Sequence, residues 1–220
     1  MYIGDKIREV RDRIARACAR SGRSPREVTL VAVTKGVSLA MIKAAYDCGI
    51  RDFGENRVQE AEGKIAQLGD LRPSVTWHMI GHLQSNKVKK ALRIFDIIHS
   101  IDSLRLAELL SRRTDRTVPI LLQVNVSGEV SRSGFSVGEL NDAFHKIAQL
   151  ANLKVVGLMT IAPPSADPEK VRPFFRKLRE LRDDMGLEHL SMGMSDDFEV
   201  AIEEGATMVR IGRAIFGERR

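Results

Sequence analysis

Apolar residues along the chain fall into two alternating rhythms. Between Asp5 and Ala19, Ile7, Val10, Ile14 and Ala17 recur at three- and four-residue steps. This predicts an amphipathic helix over about residues 5–20, with Gly22 as its stop. Short apolar runs then appear at 30–34, 51–54, 76–81, 96–100, 119–126, 155–160, 189–194 and 208–212. Each is too short for a comfortable helix, and several are apolar on both faces, as strands of a covered parallel sheet must be. Between the runs lie segments of helical spacing with start or stop signals. Ser38 caps a helix ending before Gly49, the stripe Val58, Ala61, Ile65 and Leu68 ends at Gly69, and Ser103 opens Leu106, Leu109 and Leu110. Leu140, Phe144 and Ile147, then Val171, Phe174, Phe175, Leu178 and Leu181, then Val200 and Ile202 before Gly205, carry the pattern on. Eight strands alternating with helices predict an α/β chain folded as a (β/α)₈ TIM barrel with an extra N-terminal helix, ahead of an open doubly wound sheet. At 220 residues the chain is near the lower limit for such barrels, so one domain over 1–220 is expected.

Composition narrows the classes of function. With 43% hydrophobic and 29% charged residues the chain has the make-up of a globular protein with a real core. No run approaches the roughly 18 apolar residues of a membrane span, and Met1 to Arg16 is charged throughout rather than built like an export leader. A cytoplasmic protein with no membrane partner is the expectation. Cys18 and Cys48 read as small core residues rather than a disulfide. The formal net charge of +6 invites a nucleic-acid partner, but basic and acidic residues interleave and aromatics are only 5%. That leaves little material for base stacking, so no nucleic-acid partner is expected. Solvated helix faces absorb most of the charge, and a phosphorylated small ligand could use the rest.

In a (β/α)₈ barrel, polar residues at the C-terminal strand ends read as functional. Lys35 follows the apolar run 30–34 and shares parity with Val31 and Val33, which puts an amine at the barrel mouth. Burial there would favour the neutral form that condenses with an aldehyde; a lysine that merely snorkels to solvent is the alternative. Arg210 lies inside the last strand and needs either an anionic ligand or a barrel carboxylate. The run from Gly212 through Arg213 to Gly217 resembles a glycine-led turn into a short helix whose N–H groups could hold a phosphate. Ser195 either caps the next helix or offers its hydroxyl to that phosphate, and Asp196 and Glu199 have capping-box spacing. Asn56 is either a local cap or an amide aimed at a ligand. His78 and His82, four apart, lie on a strand and its exit rather than on a helix, so no metal site is expected. The segment 127–136, rich in Ser and Gly, reads as either a lid or a passive loop.

Together, Lys35, Phe53-Gly54-Glu55-Asn56, the run from Trp77 to Lys87, Gln123-Val124-Asn125-Val126-Ser127-Gly128, Gly157-Leu158-Met159, Ser191 to Asp197 and Arg210 to Gly217 resemble a known family. It is that of the pyridoxal-phosphate homeostasis proteins, relatives of the barrel half of bacterial alanine racemase, and the likeness runs from about Val28 to Gly217. The resemblance implies an alanine-racemase-like barrel that binds pyridoxal 5'-phosphate (PLP). Lys35 would form the Schiff base, Arg210 would face the pyridine nitrogen, Asn56 would lie beside the ring, and Ser195 with the backbone of Gly212 and Arg213 would hold the phosphate. Many members carry Thr where this chain has Arg213, so a hydroxyl contact is lost while the N–H remains and a cation is added.

The implied role is a PLP carrier in vitamin B6 homeostasis, with PLP-dependent enzymes as recipients and no catalytic turnover. An arginine opposite the ring nitrogen weakens the electron sink that transamination or decarboxylation needs. The alternative is a racemase of low activity, with Lys35 as one base and water or His78 as the other. Racemases of this type commonly take a tyrosine for the second base from an added domain. Tyr2 and Tyr46 are poorly placed for that, and no added domain is expected after Arg220. An aldolase using Lys35 directly on a sugar phosphate is a further candidate. A monomer is expected.

Overall fold

The computed structural model describes residues 2–218, the Asp70 side chain excepted. Helix α1 runs from Ile3 to Arg20, starting two residues before the predicted segment. The buried stripe is Ile3, Ile7, Val10, Ile14, Ala17 and Cys18, so Ile3 adds one turn to it. Gly22 ends the helix at φ +68°, and the Arg23 N–H returns to the Cys18 carbonyl at 2.9 Å, the closure that a left-handed residue permits.

Among the described residues nine strands follow: β1 (Thr29–Val33), β2 (Asp52–Glu55), β3 (Thr76–Met79), β4 (Ile97–Ile101), β5 (Val118–Asn125), β6 (Phe135–Ser136), β7 (Leu153–Met159), β8 (His189–Ser191) and β9 (Met208–Ile211). Apart from β6, a two-residue strand against the end of β5, they form a closed parallel barrel. The neighbours run β1-β2-β3-β4-β5-β7-β8-β9, and β9 returns to β1. The eight expected runs are all strands, with ends moved by at most three residues. The helices between them are α2 (Leu39–Asp47), α3 (Val58–Gln67), α4 (Val88–Ile94), α5 (Leu104–Arg113), α6 (Val137–Ala148), α7 (Arg172–Asp184) and α8 (Phe198–Glu203), and α9 (Arg213–Phe216) follows the last strand. The sequence pattern does not reveal α4 because its seven residues bury only Val88, Ala91 and Leu92, too few for a period to register.

Alternation along each strand divides the core. Ala32, Phe53, Trp77, Met79, Leu158, Leu190, Val209 and Ile211 face outward and join the helices in the main cluster, while Val31, Ile97, Leu121, Met159 and Met208 fill the barrel axis. Polar residues of the same inward parity include Asp52, His78, His99, Gln123, His189, Ser191 and Arg210. Outside the closure, α1 packs on α2, α8 and α9. Arg13 pairs with Glu199 at 3.0 Å and Arg20 with Glu203 at 2.5 Å, and one Arg23 nitrogen donates to the carbonyls of Ile202 and Ala206, each at 2.9 Å. The extra helix therefore clasps the last βα unit to the first. Among the described residues no helix is long and apolar enough to cross a membrane.

Candidate functional site

The C-terminal ends of β1, β2, β8 and β9 surround a cavity of about 550 Å³ whose lining includes Lys35, Asn56, Ser195, Arg210, Gly212 and Arg213. All six candidates named from the sequence thus meet in one place. Ile161 and Met194, both substantially exposed, give the cavity an apolar edge.

Lys35 stands two residues past β1, on the parity of Val31 and Val33, and is half-buried. Among the described residues no carboxylate lies within ion-pair distance of it. Its backbone neighbours are fixed from α3: the Lys64 ammonium donates to the Thr34 carbonyl at 2.6 Å, and Glu60 accepts from the Gly36 N–H at 2.5 Å. Behind this brace, Glu55 is wholly buried and accepts from the Thr34 hydroxyl at 2.6 Å and from Lys64 at 2.8 Å. Burial pushes the Glu55 carboxyl up, against the opposing pull of Lys64 and Thr34. These bracing residues escaped the sequence reading, because nothing in the local spacing ties α3 to the exit of β1.

Asn56 caps nothing. Arg57 is the residue that precedes α3, and the Asn56 amide oxygen is buried without a partner. Gly81 makes that position possible, since a Cβ there would come within 2.4 Å of the Asn56 carbonyl oxygen and 2.7 Å of its Cα. Only glycine allows the exits of β2 and β3 to approach this closely.

Arg210 is 4% exposed and has no carboxylate within ion-pair distance among the described residues. Its two terminal nitrogens donate to the Ser191 hydroxyl at 2.7 Å and the Thr160 carbonyl at 2.8 Å. Burial pulls its pKa down to about 10 despite the attraction of Asp197. The barrel carboxylate allowed for on sequence grounds is therefore replaced by neutral acceptors, which leaves a net cation facing the cavity.

Past the exits of β8 and β9 the Ser195 hydroxyl accepts from the Ala214 N–H at 3.3 Å, and Arg213 opens α9, so its own N–H has no intrahelical partner. The Arg213 guanidinium is engaged by Asp196, so the cation introduced at this position is already paired. The capping box expected from Asp196 and Glu199 does not form: Asp197 precedes α8 without a side-chain cap, its carboxylate accepts from the Met194 N–H at 2.6 Å, and Glu199 is held by Arg13. His78 and His82 part company. His78 lies in the barrel core bonded to Asp52 and His99, while His82 pairs with Asp102 at the surface. The segment 127–136 is pinned by β5. Asn125 donates to the Glu129 carbonyl at 2.8 Å and accepts from Ser127 and Gly128, and Gln123 donates to the Ser133 carbonyl at 3.0 Å.

A model of the family described as alanine racemase, N-terminal domain, matches residues 7–220. The pyridoxal phosphate homeostasis protein of Aquifex aeolicus is 46% identical over 225 residues, covering 98% of each chain. That of Pseudomonas aeruginosa is 46% identical over 222 residues, covering 99% of this chain and 96% of the relative. The chain belongs to the pyridoxal phosphate homeostasis protein family. In this family's fold, PipY of Synechococcus elongatus, solved with PLP bound, is 41% identical with a TM-score of 0.80, covering 93% of this chain and all of PipY. A protein of unknown function from Bifidobacterium adolescentis reaches a TM-score of 0.90 at 41% identity, covering 97% of this chain and 94% of that one. Alanine racemase of Corynebacterium glutamicum, at 21% identity and a TM-score of 0.69 over 95% of this chain and 61% of its own, shares the barrel.

Proposed function

We propose that the protein is a cytoplasmic PLP carrier, one domain over residues 1–220, that holds the cofactor reversibly as a Schiff base on Lys35 and serves PLP homeostasis without turnover of its own. The observation that carries this reading is Arg210, a buried cation with no carboxylate partner among the described residues, lining the same cavity as a half-buried lysine amine. That combination suits a ligand with an anionic group, an acceptor nitrogen and an aldehyde. PLP supplies the aldehyde, which joins a primary amine with loss of water. The chain's own groups supply the rest. Arginine donates and never accepts, so a ring nitrogen opposite it stays unprotonated and the ring remains a weak electron sink, which suits holding over chemistry. The Ser195 hydroxyl and the N–H groups of Gly212 and Arg213 are the phosphate ligands. Asn56, whose amide oxygen is unpartnered, lies beside the ring.

A holding role is supported by where the tyrosines and His78 lie. Tyr2 is 74% exposed at the N-terminus, Tyr46 on α2 is stacked beneath the Arg51 guanidinium at 4.0 Å, and His78 is committed inside the barrel. None of the three lines the cavity. The relatives' names and the PLP-bound PipY support the choice of cofactor. PLP-dependent enzymes are the recipients, and the carrier acts as a monomer.

Titration of PLP into wild-type and Lys35→Ala protein, followed by absorbance, tests the reading. The wild type takes up about one equivalent and turns yellow, and the variant does not develop the band. A Lys35→Ala protein with the same covalent chromophore overturns the assignment. Incubation with a panel of single amino-acid enantiomers leaves them unchanged, whereas Lys35-dependent formation of the opposite enantiomer would make the protein a racemase.

A further inference from the structure

Five polar residues cross the barrel axis as one hydrogen-bonded chain. Arg210 on β9 donates to the Ser191 hydroxyl of β8 at 2.7 Å, Ser191 meets His99 Nδ1 of β4 at 2.8 Å, and His99 Nε2 meets His78 Nδ1 of β3 at 2.9 Å. His78 Nε2 meets the Asp52 carboxylate at 3.0 Å. The three central residues are 2% exposed or less. Asp52 opens β2 at the end of the barrel away from the cavity, and its side chain is 28% exposed.

The ends fix the direction of the chain. Arginine has only donors, so Ser191 accepts there and turns its own proton to His99 Nδ1; an ionised carboxylate has only acceptors, so His78 presents Nε2–H to Asp52. The middle link then closes in one way, with His99 Nε2–H donating to a bare His78 Nδ1. Reversing the chain would make Ser191 accept from both Arg210 and His99 and leave its proton without a described acceptor. Burial, with His78, Arg210 and His189 close by, holds His99 well below the ordinary imidazole range, consistent with a neutral ring. The charged and titratable groups facing the chain are Asp52, His189, Asp197 and Arg210.

We propose that Asp52 is a positioning residue which, through His78, His99 and Ser191, sets the hydrogen-bond direction that orients the Arg210 guanidinium toward the cavity. This rests on the reading of Arg210 as the group facing the PLP ring. Its first test needs no PLP.

Long-range ¹H–¹⁵N spectra of the ligand-free protein report which ring nitrogens carry protons. The wild type shows His78 and His99 each with a protonated Nε2 and a bare Nδ1. In Asp52→Ala the anchor is gone, and both rings shift toward the Nδ1–H form; Asp52→Asn, which keeps an acceptor oxygen, retains the wild-type pattern. A wild-type His99 with protonated Nδ1, or an Asp52→Ala protein with His99 unchanged, overturns the proposal. Should Asp52→Ala fail to fold, the wild-type and Asp52→Asn spectra still decide. With PLP added, Asp52→Ala raises the dissociation constant by at least about fivefold, the coupling expected along one hydrogen-bonded network, while borohydride still fixes the label on Lys35. An unchanged constant with Lys35 labelled refutes the role of Asp52, whereas a label absent from wild-type Lys35 refutes the PLP reading.

Discussion

Lys35 and Arg210 come from adjacent strands, β1 and β9, yet their surroundings differ. The amine sits at a rim held by backbone braces, and the guanidinium sits in the core with neutral acceptors. Arg210→Lys keeps the charge but cannot reach Ser191 and Thr160 as a fork, so PLP retention by equilibrium dialysis falls about tenfold while Lys35 is still labelled. His99 gives a stability prediction with a definite sign. Its native pKa lies well below the reference 6.5, chiefly through burial, so the unfolded chain binds a proton first and stability is lost as pH falls below about 6.5. Each pH unit costs about 1.4 kcal/mol while the native ring stays neutral. His189, also lowered by burial, adds to the slope. Urea unfolding from neutral to mildly acidic pH shows this loss, and His99→Gln flattens it; an equally steep variant would place the effect elsewhere.

The elements that frame the cavity depend on close approaches as much as on side chains. Gly81→Ala drives a Cβ into the Asn56 backbone and so costs about 2 kcal/mol by urea unfolding, with displacement of Asn56 and weaker PLP binding. The strands were legible because each buries one face on helices and the other on the barrel axis, which leaves a run of apolar residues with few interruptions. Those interruptions were the signal for the site: Arg210 stood out because it breaks an apolar strand, and Lys35 because it directly follows one. Asp52, His78, His99 and Ser191 break their strands in the same parity, but their joining depends on the closure of the barrel, which spacing along one strand cannot express. The bracing by Glu60 and Lys64, and the replacement of a helix cap at Asp196 by a bond to Arg213, are likewise contacts between distant segments.

At the scale of the molecule, α1 locks the seam where the first and last strands meet. Ile7, 1% exposed, lies in that seal, and Ile7→Ala lowers unfolding free energy by about 2–5 kcal/mol without altering the cavity's residues; a cost below about 1 kcal/mol would show that α1 is an ornament rather than a clasp. The whole arrangement, a closed barrel with a braced lysine and, among the described residues, an arginine without a carboxylate partner at one mouth, is the one the proposed carrier role requires. Its most direct test is borohydride reduction of the PLP-loaded protein followed by mass analysis of the proteolytic peptides. The account predicts loss of the yellow band and a reduced pyridoxyl-phosphate adduct on the peptide containing Lys35. An adduct on another lysine, or none on a protein that has taken up PLP, contradicts it.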